Sequence, residues 1–372
     1  MRILVLLLCL VLAAAPTAAQ QPRSPAPAAA PVRADTSFAG IIRRLSEPGG
    51  YFDTDNLVSN EASYLHVMGK LRELGVHGGV YIGVGPDQNF SYIAQVRPEL
   101  AIIVDIRRDN LLQHLLFKAL FELSRDREEY LALLLGRPVP ARRDPGRSIE
   151  AIVADLDRTL MRQEAFEAAH ARVRERIRTY GVELSASDWE TIRRFHATFA
   201  REGLDLRFQS HGRAPRPEYP TLRRLLLERD LTGRQASYVA DEEAFRFVKS
   251  LQARNRVIPV VGDLAGDHAL AAIARFLEER GLRVSAYYTS NVEFYLAQDG
   301  RLDAFMRNVM RLPRDPRSVI IRSVFRMRLP ESVPGYASTQ LVQRIEALVD
   351  EYRAGRIRGY YDLVAAGTRE RR

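Results

Sequence analysis

The segment Val80–Asn89, VYIGVGPDQN, restricts the fold of this chain more than any other stretch. Its apolar start predicts a buried strand over Gly79–Val84, and the next apolar run predicts a second strand over Leu100–Ile106. Between them, Asn89–Val96 has the pattern of a short helix that Pro98 ends. Strand, glycine turn, helix and strand form a βαβ unit, and such a crossover makes the two strands parallel.

The same pattern returns in the second half of the chain. Three more apolar runs predict strands over Val257–Val261, Leu282–Tyr288 and Ser318–Phe325, with helical patterns between them. We therefore predict an α/β fold with a Rossmann-like, doubly wound, mostly parallel sheet and a largely helical insertion at residues 111–256. The stretch Thr339–Ala354 is predicted to be an amphipathic helix.

The N-terminus has the three-part layout of a secretory signal. Arg2 is followed by the apolar run Ile3–Ala15 and by the small residues Thr17–Ala19. We expect residues 1–19 to be a signal peptide, cleaved on export to the periplasm or the medium, because the apolar run is short for a membrane span. The single cysteine, Cys9, lies in this leader, so the mature protein would contain no disulfide and no cysteine-bound metal.

Composition sets the remaining boundaries and limits the partners. Residues 20–37 are rich in proline and alanine and are interpreted as a disordered linker. We expect the α/β domain at residues 38–330 and a helical tail at residues 331–372. The formal net charge of +9 is spread along helices among acidic residues, so no nucleic-acid partner is expected. We also expect no metal and no membrane span after cleavage, and the sequence leaves the oligomeric state open.

Polar turns follow the predicted strands, at the edge where doubly wound sheets bind ligands. Gly83 and Gly85 would let a ligand approach the backbone closely. Asp105 ends the second strand, where a carboxylate can accept hydrogen bonds from ribose hydroxyls. Asp263 ends the third strand and could accept a hydrogen bond from an adenine amine or from another donor. The predicted cofactor-binding residues are Gly83, Val84, Gly85, Pro86, Gln88, Asn89, Asp105, Ile106, Arg107, Asp263 and Leu264.

A second group of polar residues could contact a substrate. The segment Phe52–Glu61, FDTDNLVSNE, precedes the sheet and could fold over the pocket as a lid or form an ordinary capped turn. The predicted substrate-binding residues are Asn60 and Glu61 in this segment and Tyr288, Asn291 and Glu293 after the fourth strand.

Several candidates also have purely structural interpretations. Asp105 could cap the next helix or pair with Arg107 or Arg108, while Asp263 and Asn291 could each cap a helix. His114, one turn into the helix after the second strand, is a candidate general base or a structural histidine.

The motifs GVG, VD and VVGD together resemble the class I S-adenosylmethionine-dependent methyltransferase superfamily. The longer runs YIGVGPDQNFSYI, VDIRRDN, VIPVVGD and YTSNVEFYL resemble an uncharacterised, often exported bacterial family with that fold. The resemblance covers about residues 40–330. It implies a seven-stranded sheet, S-adenosylmethionine over the Gly83–Gly85 turn, Asp105 on the ribose, and Asp263 with Leu264 near the adenine.

The chain departs from the methyltransferase pattern at several positions. Tyr81 stands where an acidic residue is usual, Pro86 stiffens the turn, and Asp87 would place a negative charge near the methionyl carboxylate of the cofactor. TSNVEFY replaces the Asn-Pro-Pro-Tyr-like acceptor motif, so no catalytic residue is assigned. Two hypotheses follow: an exported enzyme that binds S-adenosylmethionine or a related nucleoside, and a non-catalytic exported binding or interaction module that keeps the fold without the cofactor.

Overall fold

A sheet of six strands forms the centre of the fold. The computed structural model describes residues 35–141, 144–214 and 216–369, so the predicted signal peptide and residues 20–34 of the predicted linker lie outside the described residues. The strands are β1 (Val80–Gly83), β2 (Leu100–Asp105), β3 (Val257–Val261), β4 (Val284–Ser290), β5 (Arg314–Phe325) and β6 (Ser338–Arg344).

The strand order in space is β3-β2-β1-β4-β5-β6. Strands β1 to β5 pair in parallel, and β6 pairs antiparallel with β5. The predicted α/β fold with a mostly parallel sheet is therefore confirmed, and its strand order is compatible with a Rossmann-like fold. The chain proceeds from β1 outward to β3 on one side and then continues from β4 on the other, so the order reverses between β1 and β4. This is the point at which such sheets bind ligands.

The first three strands are buried along their whole length, as expected for parallel strands with helices on both faces. Val80 pairs with Leu100 of β2 and with Val284 of β4, so these parallel strands start level and their carboxyl ends lie at the same edge of the sheet. Pro259 would remove a hydrogen bond from a central strand, but β3 lies at the edge of the sheet, where proline is tolerated.

Helices cover the sheet on both faces and fill the long connection from β2 to β3. In chain order the helices are α1 (Phe38–Leu45), α2 (Met68–Glu73), α3 (Gln88–Val96), α4 (Arg108–Leu123), α5 (Arg127–Leu134), α6 (Ile149–Arg158), α7 (Gln163–Arg178), α8 (Ala186–Glu202), α9 (Leu222–Leu227), α10 (Glu242–Ala253), α11 (Ala269–Glu278), α12 (Val292–Gln298), α13 (Leu302–Arg311), α14 (Ile345–Arg353) and α15 (Tyr360–Arg369). A 3-10 turn, Gly203–Asp205, follows α8.

Helix α4 is buried on nearly all sides, from Asn110 to Phe121. It packs on β3 and on the helices α7, α8 and α10. A helix that is covered all round lies inside a fold rather than on its surface. The helices between β2 and β3 are thus attached to the sheet through α4.

The predicted helix over Thr339–Ala354 is wrong in its first half. Ser338–Arg344 is strand β6, and only Ile345–Arg353 is helical. The sequence STQLVQR pairs along its whole length with β5, and this ladder outweighs the helical pattern. The tail at 331–372 therefore contributes a strand to the sheet instead of being wholly helical. The described residues contain six strands where the resemblance implies seven.

None of the helices in the described ranges combines the length and the apolar character that a membrane span needs.

Candidate functional site

The turns after β1, β2, β3 and β4 surround one cavity of about 230 Å³. Gly85, Asp105, Asp263 and Asn291, each from a different turn, all line it. The structure thus brings together side chains that are far apart in the sequence. The predicted residues that line the cavity are Asn60, Val84, Gly85, Gln88, Asp105, Ile106, Arg107, Asp263, Leu264 and Asn291.

The buried Asn89 side chain holds the glycine turn in place. Its Nδ2 donates to the carbonyl groups of Val84, Gly85 and Pro86 at 3.0, 3.2 and 2.7 Å. The hydroxyl of Tyr81 donates to Asn89 Oδ1 at 2.8 Å. Tyr81, which stands where an acidic residue is usual, therefore supports the turn from below.

Glycine is required in this turn for two different reasons. Gly85 has a φ of +85°, a conformation that other residues rarely adopt. A Cβ atom at Gly83 would lie 2.0 Å from Asn89 Oδ1, so Gly83 leaves room for the supporting side chain. Gly83, Pro86 and Asn89 are not among the cavity-lining residues, and their predicted ligand contact stays a prediction.

Asp105 and Arg107 form a bidentate ion pair at the edge of the cavity. Arg107 Nε donates to Asp105 Oδ1 at 3.0 Å, and Nη2 donates to Oδ2 at 2.8 Å. The backbone N–H of Arg107 also donates to Oδ1. The structure thus shows the pairing of Asp105 with Arg107 that the sequence offered as a structural interpretation. Each carboxylate oxygen has two acceptor positions, so Oδ2 keeps one for a further donor.

Phe52, Asn56 and Asn60 of the segment Phe52–Glu61 line the cavity, so this segment, called the cover below, forms one of its walls. Arg107 Nη1 donates to the carbonyl groups of Thr54 and Asp55 at 2.9 and 2.8 Å, which ties the segment to β2. Thr54 Oγ1 donates to the carbonyl group of Gln209, and Asp55 pairs with Arg194. The cover is therefore fastened both to the sheet and to the region between β2 and β3.

Both carboxylate oxygens of Asp263 have structural partners, but Asp263 does not cap helix α11, whose N-cap residue is His268. Its Oδ1 accepts from the N–H of Ala265 at 2.9 Å within the turn. Its Oδ2 pairs with Arg301 Nη1 at 2.6 Å, and Arg301 also lines the cavity. The next residue, Leu264, is buried and contributes an apolar side chain to the cavity lining.

Glu61 and Tyr288 lie behind the cavity wall rather than in the cavity. Glu61 is 1% exposed, and Tyr288 donates to its Oε2 at 2.6 Å. Ser290 donates to Oε1 of the same carboxylate and itself lines the cavity. The sequence prediction included Tyr288 and Asn291 but missed Ser290, although this small polar residue ends β4.

Glu293 also lies outside the cavity. It forms a buried ion pair with Arg322, with Nε of Arg322 2.7 Å from Oε2, and both side chains are 1% exposed. Arg322 Nη1 donates to Gln343 Oε1 at 2.7 Å. Glu293 therefore joins α12 to β5 and β6, and the structure gives no support to its predicted substrate contact.

The charge of Asp87 does not face the cavity. Burial raises the pKa of Asp87 to about 6, and the hydroxyl of Tyr238 donates to its Oδ2 at 3.3 Å. Asp87 and Tyr238 line a separate, very small void. The expected repulsion between Asp87 and a bound carboxylate is therefore reduced.

His114 lies beneath the glycine turn. Burial lowers its pKa to about 4, so the ring is neutral at pH 7. Its Nε2 is 2.9 Å from the carbonyl oxygen of Gly85, which requires that nitrogen to donate. His114 is not among the cavity-lining residues, so the structure favours its structural interpretation.

The profile of a protein family described as a domain of unknown function, DUF7790, matches residues 56–350. The chain belongs to the DUF7790 family. The DUF7790 segment contains all six strands and the four turns around the cavity. Tyr51 and Phe52, which also line the cavity, precede it. A comparison with curated proteins gave no match.

Tyr295 and Phe208 line the DUF7790 cavity and were not predicted, whereas Phe52 belongs to the predicted lid segment. Phe52 and Tyr295 meet edge to face, with ring centroids 5.1 Å apart. Phe208 comes from the region between β2 and β3, and no local pattern links it to the site. The cavity-lining residues that were neither predicted individually nor part of the predicted lid segment are Tyr51, Phe208, Gly262, Ser290, Val292, Tyr295, Leu296, Asp299 and Arg301.

In the described part of the DUF7790 chain, no group of three or more His, Cys, Asp or Glu side chains is arranged to hold a metal ion.

Proposed function

We propose that the cavity binds S-adenosylmethionine or a related nucleoside. The observation that carries the proposal is the convergence of the turns after β1, β2, β3 and β4 on one pocket, at the reversal of the strand order. The sheet, with β6 antiparallel at its end, is compatible with the methyltransferase resemblance of the sequence.

The residues around the cavity fit an adenosine group. Val84, Ile106 and Leu264 offer apolar surface for a base. Asp105 Oδ2 keeps an acceptor position for a ribose hydroxyl, although Arg107 occupies the other positions of this carboxylate. The ribose contact is therefore limited to one oxygen of Asp105 unless Arg107 turns away.

The amide side chains at the glycine turn suit the amino-acid part of such a ligand. Asn56, Asn60 and Gln88 line the cavity and are uncharged. Gln88 Nε2 donates to Tyr288, while Gln88 Oε1 is buried and has no hydrogen-bond partner. A buried acceptor without a partner is costly, and an ammonium group of a ligand would satisfy it.

The size of the cavity requires movement of the cover. Its volume of about 230 Å³ is below the roughly 300–1,000 Å³ of typical ligand sites. We propose that the segment Phe52–Glu61 shifts when the ligand enters, and that Arg107 moves with it.

The proposed reaction class is methyl transfer. S-adenosylmethionine, when bound, supplies an electrophilic methyl group. The chain would contribute position and exclusion of water, because alignment of the reactants provides a large share of such rate accelerations. Asn291 and Ser290, at the β4 end of the cavity, would orient the second reactant.

A specific observation favours the alternative of a non-catalytic binding module. Both carboxylates that the resemblance assigns to the cofactor are paired with arginine, Asp105 with Arg107 and Asp263 with Arg301. A domain that has lost its cofactor could keep these pairs as purely structural contacts.

Isothermal titration calorimetry with S-adenosylmethionine, S-adenosylhomocysteine and adenosine separates the two functions. The proposal predicts binding of at least one of them and an affinity at least tenfold lower in Asp105→Asn. The control is Asp188→Asn, since Asp188 forms a bidentate pair with Arg108 away from the cavity. Absence of heat at millimolar ligand would contradict the proposal and favour the binding module.

A further inference from the structure

We propose that Ser290 is a nucleophilic serine and Glu61 its proton acceptor, and that this pair reacts with ester-like electrophiles that enter the cavity. The inference goes beyond nucleoside binding and does not depend on it.

The backbone presents Ser290 to the cavity in an unusual conformation. Ser290 is the last residue of β4, and α12 begins two residues later at Val292. Its φ is +52°, in the left-handed region that residues other than glycine seldom adopt. A serine held in such a sharp strand-to-helix turn exposes its hydroxyl, as in the nucleophile turns of hydrolases. Ser290 lines the cavity, so an electrophile there can reach it.

The hydroxyl of Ser290 already points its proton at a carboxylate. Ser290 Oγ donates to Glu61 Oε1. The lone pairs of Ser290 Oγ then stay available for attack on an electrophile. A serine whose proton is held by an adjacent base is the arrangement that activates this weak nucleophile.

Glu61 can take up this proton without breaking an ion pair. It is 1% exposed, and its other donors are Tyr288, Ser323 and Gln340, which are all uncharged. Burial, together with the Glu61 charge, raises the pKa of Tyr288 far above its ordinary value, so this hydroxyl stays protonated.

The neighbouring carboxylates differ from Glu61 in this respect. Asp105, Asp263 and Glu293 each pair with an arginine. Among the ion pairs of the described residues, none involves Glu61. Asp299 lines the cavity as well, but it is exposed. Glu61 is therefore a buried carboxylate at the cavity wall whose protonation leaves no arginine without its partner.

The reaction step can be written in full. Ser290 Oγ attacks the carbonyl carbon of an ester and forms the new C–O bond while its proton passes to Glu61 Oε1. The tetrahedral intermediate then expels the alcohol, which takes the proton back from Glu61, and an acyl-serine remains. A fluorophosphonate reacts in the same way at phosphorus: the O–P bond forms, the P–F bond breaks, fluoride leaves, and Glu61 keeps the proton until solvent removes it.

Labelling with a biotinylated fluorophosphonate tests the proposal. We expect the full chain to gain one adduct at neutral pH, and peptide mass spectrometry to locate it on Ser290. Ser290→Ala should form no adduct, and Glu61→Gln should react at least tenfold more slowly. Thermal denaturation verifies that each variant is folded.

Ser323 provides the matched control. It donates to the same carboxylate but is not a cavity-lining residue, so the adduct in Ser323→Ala should still form on Ser290. A folded wild-type chain that remains unlabelled after hours at millimolar probe would overturn the proposal. A Glu61→Gln variant that reacts at the wild-type rate would remove Glu61 from its assigned role, and labelling confined to other serines would remove Ser290. Calorimetry with nucleosides is a separate measurement, so failure of one proposal leaves the other intact.

Discussion

Arg107 binds both carboxylate oxygens of Asp105 and, through its remaining terminal nitrogen, two carbonyl groups of the segment above the cavity. One guanidinium group thus connects the end of β2 with the cover. This guanidinium group leaves a ligand one acceptor position on Asp105 and also holds the cover in place. We therefore predict that binding at Asp105 and movement of the cover are coupled.

Arg107→Ala should loosen the cover and destabilise the protein. The substitution leaves the buried Asp105 without its partner, which costs about 3–5 kcal/mol for pairs of this kind. Urea denaturation measures the loss, and hydrogen exchange should show faster exchange across residues 52–56. The control is Arg108→Ala, which removes a half-exposed partner of Asp188 and should cost less and leave exchange of the cover unchanged. Unaltered exchange in Arg107→Ala would contradict the coupling.

Glu293→Gln should destabilise the fold without changing ligand affinity. Arg322 would keep its charge in a site that is 1% exposed, and an unpaired buried charge costs about 3–5 kcal/mol. Replacing both partners, as in Glu293→Gln with Arg322→Met, should recover part of that loss. Chemical denaturation of the single and double variants gives the coupling energy. A loss of nucleoside binding free energy larger than the loss of unfolding free energy would show that Glu293 takes part in ligand binding.

Asp87 should make stability depend on pH in the acid range. Burial raises its folded pKa to about 6, above the ordinary value of 3.8, so the folded state binds its proton more tightly. This contribution is fully present below pH 3.8 and is lost as the pH rises through 6. At about 1.4 kcal/mol for each pKa unit, it amounts to about 3 kcal/mol.

Asp87→Asn should remove this dependence. The variant cannot ionise, so at pH 7 we expect it to be more stable than the wild type by up to about 3 kcal/mol. Urea denaturation of both proteins between pH 4 and 8 measures the difference. Parallel stability curves for the two proteins would show that Asp87 titrates normally.

Gly83→Ala should disrupt the glycine turn. The new methyl group would meet Asn89 Oδ1 at 2.0 Å and displace the side chain that holds three carbonyl groups. We expect a loss of more than about 2 kcal/mol in unfolding free energy, which is large for one methyl group. Gly359→Ala is the control, because its Cβ has no neighbour within 4 Å and should change stability by less than about 0.5 kcal/mol.

The sequence predicted the centre of the sheet well, because buried parallel strands are short apolar runs between turns. The predicted strand Val257–Val261 has the observed bounds. The error at 339–354 arose because the same residues carry a helical pattern and a strand pattern. Ser338–Arg344 forms a strand because it pairs with β5, a distant contact that the local sequence pattern does not show.

The site was predictable where it depends on topology and not where it depends on distant partners. Polar turns after parallel strands had to meet at one edge, and Gly85, Asp105, Asp263 and Asn291 do so. Arg301, which pairs with Asp263, follows α12 and shows no local signal of that contact. The sequence offered Arg107 and Arg108 as ion-pair partners of Asp105. Arg107 is the partner in the structure, where its guanidinium group also donates to two carbonyl groups of the cover.

A crystal structure of the chain grown with millimolar adenosine would show whether the cavity binds a nucleoside. We expect adenosine in the cavity, with its base between Ile106 and Leu264 and its ribose on Asp105. We also expect a displaced segment at residues 52–56. Crystals that diffract well and show an empty cavity, or adenosine bound at a different surface, would contradict this expectation.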